Sequence, residues 1–188
     1  DGSGQRRPRR TLQHQEREAS MTYQQKAGEK AKIDEAEFAK RLENPVMATY
    51  QQNTREHWDV QGRLDGEVFK FEVKGLKRFN HKDAEPQDVM ACVEYVGIAG
   101  YPGWVLGKSD YIAFKRIKYP WLVANRQRLW EMVETKLKER NYSPSIKPWY
   151  EKEAYATYDR SYFGNKDKYC WVPYEDIEGL RDIKKLEK

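Results

Sequence analysis

HWDVQGRLDGEVFKFEVKGLK, residues 57–77, is the stretch whose reading decides the fold. Asp65-Gly66 is a two-residue turn signal, because a type I′ turn needs positive φ at both central positions and Asp-Gly tolerates it. Closing the chain there pairs Leu64 with Glu67, Val60 with Phe71 and Asp59 with Glu72, so the segment is expected to form a β-hairpin. Alternation along each strand sends Trp58, Val60, Phe69, Phe71 and Val73 to one face. It sends Asp59, Gln61, Lys70, Glu72 and Lys74 to the other.

The first face is core and the second concentrates charge. Carboxylates held opposite each other across a ladder repel, so a cation is expected between Asp59 and Glu72. Lys70 and Lys74 flank Glu72 and offer a surface charge ladder; a divalent cation is the other candidate. An EF-hand loop starting at Asp59 would need glycine at its sixth position and a carboxylate at its twelfth, and it finds Leu64 and Lys70. That reading fails.

The segment before the hairpin, from Lys26 to Glu43, is expected to be an amphipathic helix. Ala27, Ala31, Phe38 and Leu42 recur at helical spacing. Glu35 falls inside that stripe, where a carboxylate is costly unless it is paired or binds a metal. It snorkels to water, meets a lysine, or binds a metal.

An Asp on one strand followed by Glu72-Val73-Lys74 in an otherwise apolar second strand, FKFEVKG, resembles the PD-(D/E)XK nuclease superfamily. Trp58 stands where the motif's name has proline. The segment VEYVGIAGYPGWVLGKSDYIAFKR, residues 93–116, is similar to a stretch of phage-type nucleases of that superfamily. The resemblance implies an α/β chain with a restriction-endonuclease-like central mixed β-sheet flanked by helices. It implies an active site in which Asp59, Glu72, the Val73 backbone carbonyl and Glu35 bind Mg²⁺, with Mn²⁺ substituting. The implied reaction is phosphodiester hydrolysis, most naturally by a DNA endonuclease.

Chemistry agrees with that implication. Mg²⁺ prefers hard oxygen ligands and keeps several waters, and it lowers the pKa of a bound water while stabilising charge on phosphate oxygens. Lys74 would orient the water, help deprotonate it, or stabilise the pentavalent phosphate. Lys70, Lys77, Arg78, Trp104 and Lys108 are the candidate nucleic-acid contacts, and Asp110 would help order the site. DNA is favoured over RNA as partner, and cutting both strands of a duplex calls for a homodimer. The rival class is a catalytically silent nucleic-acid-binding module that uses the basic and aromatic surface.

The whole chain has 188 residues, a net charge of +5 and 13% aromatic residues. That aromatic content argues against disorder despite a mean hydropathy of -1.05. The basic balance suits a phosphate backbone. Cys92 and Cys170 are isolated, which excludes a zinc framework or a disulfide scaffold as the organising principle. No apolar run is long enough to span a membrane and no secretory segment is evident, so the chain reads as intracellular, cytoplasmic or nuclear.

Residues 1–20 are read apart from the fold, as an appended leader or a disordered basic arm, and residues 21–188 as a single domain. Two further strands are expected at Cys92–Ala99 and Asp110–Lys115, joined by a Gly- and Pro-rich connection. A helix is expected from Pro120 to about Arg140 on the stripe Leu122, Leu129, Val133 and Leu137. Residues 142–168 read as an insertion rich in aromatics and cations, able either to stack unpaired bases or to fold against the domain. Its aromatics are Trp149, Tyr150, Tyr155, Tyr158, Tyr162 and Phe163. A last strand at Tyr169–Val172 and a charged helix from about Tyr174 close the chain.

Overall fold

The computed structural model describes residues 25, 27–80, 83–117, 121–148, 150–161 and 164–186. The readings placed on residues 1–20, Lys26, Pro120, Trp149, Tyr162 and Phe163 lie outside them.

The hairpin forms as its turn chemistry requires. Asp65 and Gly66 take φ of 53° and 87°, and they join β2 (Val60–Leu64) to β3 (Glu67–Lys74). Leu64 pairs with Glu67 and Val60 with Phe71, the expected register. A helix over 27–39, α1, precedes β1 (Glu43–Met47), and a short helix α2 (Tyr50–Glu56) leads into β2.

Six strands make one mixed sheet in the order β1, β2, β3, β5 (Tyr111–Lys115), β6 (Trp121–Asn125) and β9 (Lys184–Leu186). Among the described residues only β3 and β5 run parallel in it. Parallel neighbours need a long crossover, usually a helix. Here the crossover is made by β4 (Met90–Val96) and the 3₁₀ turn Trp104–Leu106. β4 joins β8 (Lys168–Pro173) and β7 (Tyr158–Asp159) in a second, antiparallel sheet.

Two cores sandwich the large sheet. On one face Phe38, Ala39 and Leu42, from α1 and the turn that follows it, meet Val60, Phe71 and Val123. Phe38 packs edge-on against Phe71 and Trp121 at 5.1 and 5.0 Å. Gly62 permits this approach, since a Cβ there would lie 2.8 Å from Leu42 Cβ. On the other face Ile112, Phe114, Leu122 and Ala124 meet Leu129, Val133 and Leu137 of α3 (Arg126–Glu139), with Ala91, Val93 and Val172 of the second sheet. The chain is thus mixed α/β, with a mixed sheet and helices on it.

Several expectations need correction. Trp121–Asn125 is a strand, and the helix begins at Arg126 with Asn125 as N-cap, its side chain accepting the Arg128 N–H at 3.1 Å. Trp121, Leu122, Val123 and Ala124 are all buried, and a strand buried on both faces has no alternation to announce it. The first helix ends at 39, with β1 following at Glu43, and Ala27 and Ala31 are exposed. The strand at Met90–Val96 lies in the second sheet and not in the central one. The closing helix, α4 (Tyr174–Glu178), is five residues long and is followed by the unforeseen β9. In the insertion, Tyr155 is buried and donates its hydroxyl to Asp176 at 2.6 Å, while Tyr158 stacks on Tyr169 at 5.6 Å. Those two rings fold against the domain, whereas Tyr150 is exposed.

Candidate functional site

The regular β2–β3 ladder stops at Val60 and Phe71. Beyond it Asp59 donates its backbone N–H to the Phe71 carbonyl at 2.8 Å, and its carboxylate Oδ2 accepts the Val73 N–H at 2.7 Å. A side chain has taken the place of a ladder partner. Trp58, just before β2, is buried at 3% exposure, and the Lys70 ammonium lies 5.0 Å over its ring.

Asn53 of α2 donates to the other Asp59 oxygen, Oδ1. α2 is set in place by a capping box, in which the Thr49 N–H donates to Gln52 Oε1 at 2.9 Å and the Gln52 N–H to Thr49 Oγ1 at 3.3 Å. Asn53 is a residue that the sequence reading missed, although Thr49-x-x-Gln52 marks the helix that carries it.

Asp59 and Glu72 are each only 5% exposed. Burial, reinforced by the Glu72 charge, pushes the Asp59 carboxyl up to about 6. Burial raises Glu72 as well, against the pull of Lys74. Glu72 Oε1 accepts from the Lys74 ammonium, and Glu72 Oε2 is buried without a hydrogen-bond partner among the described residues. Desolvation works to lower Lys74, yet the surrounding carboxylates, Glu72 foremost and then Asp59, hold it above its ordinary value. The ammonium also lies 4.8 Å over the Trp104 ring, an electrostatic contact with the ring face.

Other acids surround this group. Glu35 is half-buried, not fully buried as its place in the stripe implied. The buried carboxylate of α1 is Asp34, whose Oδ1 accepts from Lys115 at 2.8 Å. Burial, with the Asp59 charge behind it, nevertheless raises Glu35 to about 7. Glu94 of β4 is raised by burial and drawn down by Lys74. His57 closes α2 in a left-handed conformation with φ of 53°. Burial and then Lys74 lower its pKa, while its hydrogen bond to the Pro102 backbone opposes them.

The remaining candidates are dispersed. Lys77 and Arg78 are exposed just past β3. Lys108 is exposed and pairs with Glu56 at 3.2 Å. Trp104 is buried in the core beneath Lys74, so it forms a floor and not an exposed stacking platform. Asp110 orders the strands: its Oδ2 accepts the Lys70 N–H and its own N–H donates to the Lys70 carbonyl, both at 2.8 Å. Val73 sits in the parallel ladder opposite Ala113.

The fit to a divalent cation can be judged on these contacts. Two buried carboxylates with raised pKa values face a single lysine, and one carboxylate oxygen has no donor. An orphaned buried acceptor of that kind costs roughly 1–3 kcal/mol, and a hard cation would remove the cost while drawing both carboxyls back to the ionised form. Asp59 Oδ1 and Oδ2 are already engaged by Asn53 and Val73, and each oxygen retains a further lone pair. Among the described residues no three His, Cys, Asp or Glu side chains are gathered around one point; the fold assembles the pair. No family model, no curated protein and no solved structure matches the chain.

Proposed function

We propose that this chain is a metal-dependent nuclease of the restriction-endonuclease-like fold that hydrolyses phosphodiester bonds, with DNA as substrate. The observation that carries the reading is the Glu72 carboxylate beside Asp59, with one oxygen on Lys74 and the other buried without a donor among the described residues. Asp59 and Glu72 would hold Mg²⁺ or Mn²⁺, with Glu35 adding charge from α1. When bound, the cation supplies an acidified water and charge stabilisation at the phosphate.

The chain's own residues do the rest. Asn53 and the Val73 N–H fix the Asp59 carboxylate, so it need not reorganise during the reaction. Lys74, held by Glu72 and by the Trp104 ring, places a positive charge next to the carboxylates. There it would stabilise phosphate charge, orient the water or help deprotonate it.

The Lys74–Glu72 contact also favours a second reading, in which the lysine permanently neutralises the acids and the chain only binds nucleic acid. Calorimetric titration of Mn²⁺ separates the two. The nuclease reading expects binding heat in the wild type that is lost in Glu72→Ala. A silent module gives no heat that depends on Glu72.

A further inference from the structure

The connection from β4 back to the 3₁₀ turn is a tight, reinforced tip that displays apolar side chains. Gly97 donates to the Tyr101 carbonyl at 2.7 Å, Gly100 to Gly97 at 2.8 Å, and Gly103 to Tyr95 at 3.0 Å. Gly100 takes φ of 86°, a turn conformation that glycine adopts without strain. The insertion braces the tip from outside, with the Lys166 N–H donating to the Ile98 carbonyl at 2.9 Å. On this rigid tip Ile98 is 57% and Tyr101 74% exposed.

The tip stands at the border of the candidate site. It leads through Gly103 into Trp104, and the Lys74 ammonium lies 4.8 Å over the Trp104 ring. A Cβ on Gly97 would lie 3.8 Å from Glu94 Oε1. Cations flank it: Lys166 lies against Gly100, and the part-exposed Arg160 reaches toward Glu94 at 4.0 Å while held by buried Asp167. Apolar side chains held outward among cations, next to a phosphodiester site, match a partner that offers flat apolar rings on an anionic backbone. Unpaired nucleobases are that partner, since base–aromatic stacking needs a free ring face and apolar wedges unstack base steps.

We propose that the 97–102 tip is a wedge on which an unpaired base next to the cleaved strand stacks, Tyr101 supplying the ring and Ile98 the apolar support. The substrate class is then single-stranded or branched DNA, with a fully paired duplex as the poorer substrate. This rests on the nuclease reading.

The test uses a splayed DNA duplex with single-stranded arms and a blunt duplex of the same sequence. Each carries 2-aminopurine at the corresponding position. Binding is measured in EDTA, and cleavage in Mg²⁺. Wild type is expected to bind the splayed duplex about tenfold more tightly than the blunt one, with a 2-aminopurine signal change on the splayed duplex. Tyr101→Ala should lose about tenfold on the splayed duplex and less than about twofold on the blunt one, the scale of one stacked base. Tyr101→Phe should retain the preference. Tyr101 is at the surface, so folding is not at risk in either variant, and matching melting curves verify this.

Equal affinity for both duplexes in wild type, or an unchanged preference in Tyr101→Ala, overturns the wedge. So does self-association that Tyr101→Ala abolishes, which would assign the tip to a second copy of the chain. Mg²⁺-dependent cleavage without preference overturns the wedge and leaves the nuclease reading standing. Tyr101-dependent binding without cleavage overturns the nuclease reading and supports the wedge. Neither binding nor cleavage of any DNA overturns both.

Discussion

The Asp59 carboxylate accepts the Val73 backbone N–H at 2.7 Å, and this bond, not a rung of the ladder, sets Asp59 beside Glu72. An acceptor oxygen is what Val73 needs; a charge is not. Asp59→Asn keeps the acceptor for Val73 and removes a repulsion with Glu72, and its amide NH2 can donate to Asn53 once the Asn53 amide turns its oxygen inward, so it should be more stable than wild type at pH 8 by about 1 kcal/mol. Asp59→Ala leaves the buried Val73 N–H without a partner and should fall below Asp59→Asn by about 1–3 kcal/mol. Urea unfolding of the three proteins at that pH measures both differences.

Lys74 offsets a buried carboxylate pair from one position. Lys74→Ala leaves Glu72 uncompensated and should cost as much as about 3–5 kcal/mol. Glu72→Gln combined with Lys74→Met should recover most of that loss, because both charges leave together. A double-mutant cycle by chemical denaturation reads the recovery; additive losses would show that the two side chains do not act as a pair.

Glu35 gives the protein a pH signature. Its carboxyl is raised from an ordinary 4.5 to about 7. Between those values the folded chain holds a proton that the unfolded chain has released, so this contribution to stability falls as pH rises through the window. In metal-free buffer Glu35→Gln should match wild type near pH 4 and exceed it at pH 8 by about 1 kcal/mol, a figure discounted for its partial exposure. That corresponds to a few degrees in Tm at high pH and none at low pH. A constant difference across the range would remove Glu35 from the field of the acidic pair.

Gly62 is where Leu42, just past α1, presses on β2. A methyl group there must displace Leu42, its Cβ only 2.8 Å away. Gly62→Ala should destabilise the protein by about 1–3 kcal/mol, seen as a lower urea midpoint with an unchanged slope.

The hairpin was legible because its turn residues are local: Asp65-Gly66 sets the pairing of Leu64 with Glu67 before anything distant is known. The sharing of one face by Glu72 and Lys74 follows from it, whereas Asp59 lies past the last paired rung, and the expected Asp59–Glu72 pairing gives way to the Val73 N–H bond. What was not legible depends on distant partners. Which acid of α1 is buried was misread by one residue, since Lys115, which holds Asp34, is 81 residues away. Alanine carries little demand for burial, so Ala27 and Ala31 kept the helical period without marking the core. The strand Trp121–Asn125 was hidden by being buried on both faces. β4 reads as a strand in its own pattern, but its choice of β8 as neighbour is written in neither segment alone.

The most direct test of the central claim is cleavage of splayed and blunt DNA by the purified chain in Mg²⁺ and in EDTA. Wild type is compared with Asp59→Asn, Glu72→Gln and Lys74→Ala, each verified as folded. Wild type should cleave in Mg²⁺ alone, with a loss of at least about 100-fold in each variant, the scale of a lost catalytic or charge-stabilising group. Cleavage that persists equally in all four proteins, or none by wild type on any DNA, would contradict it.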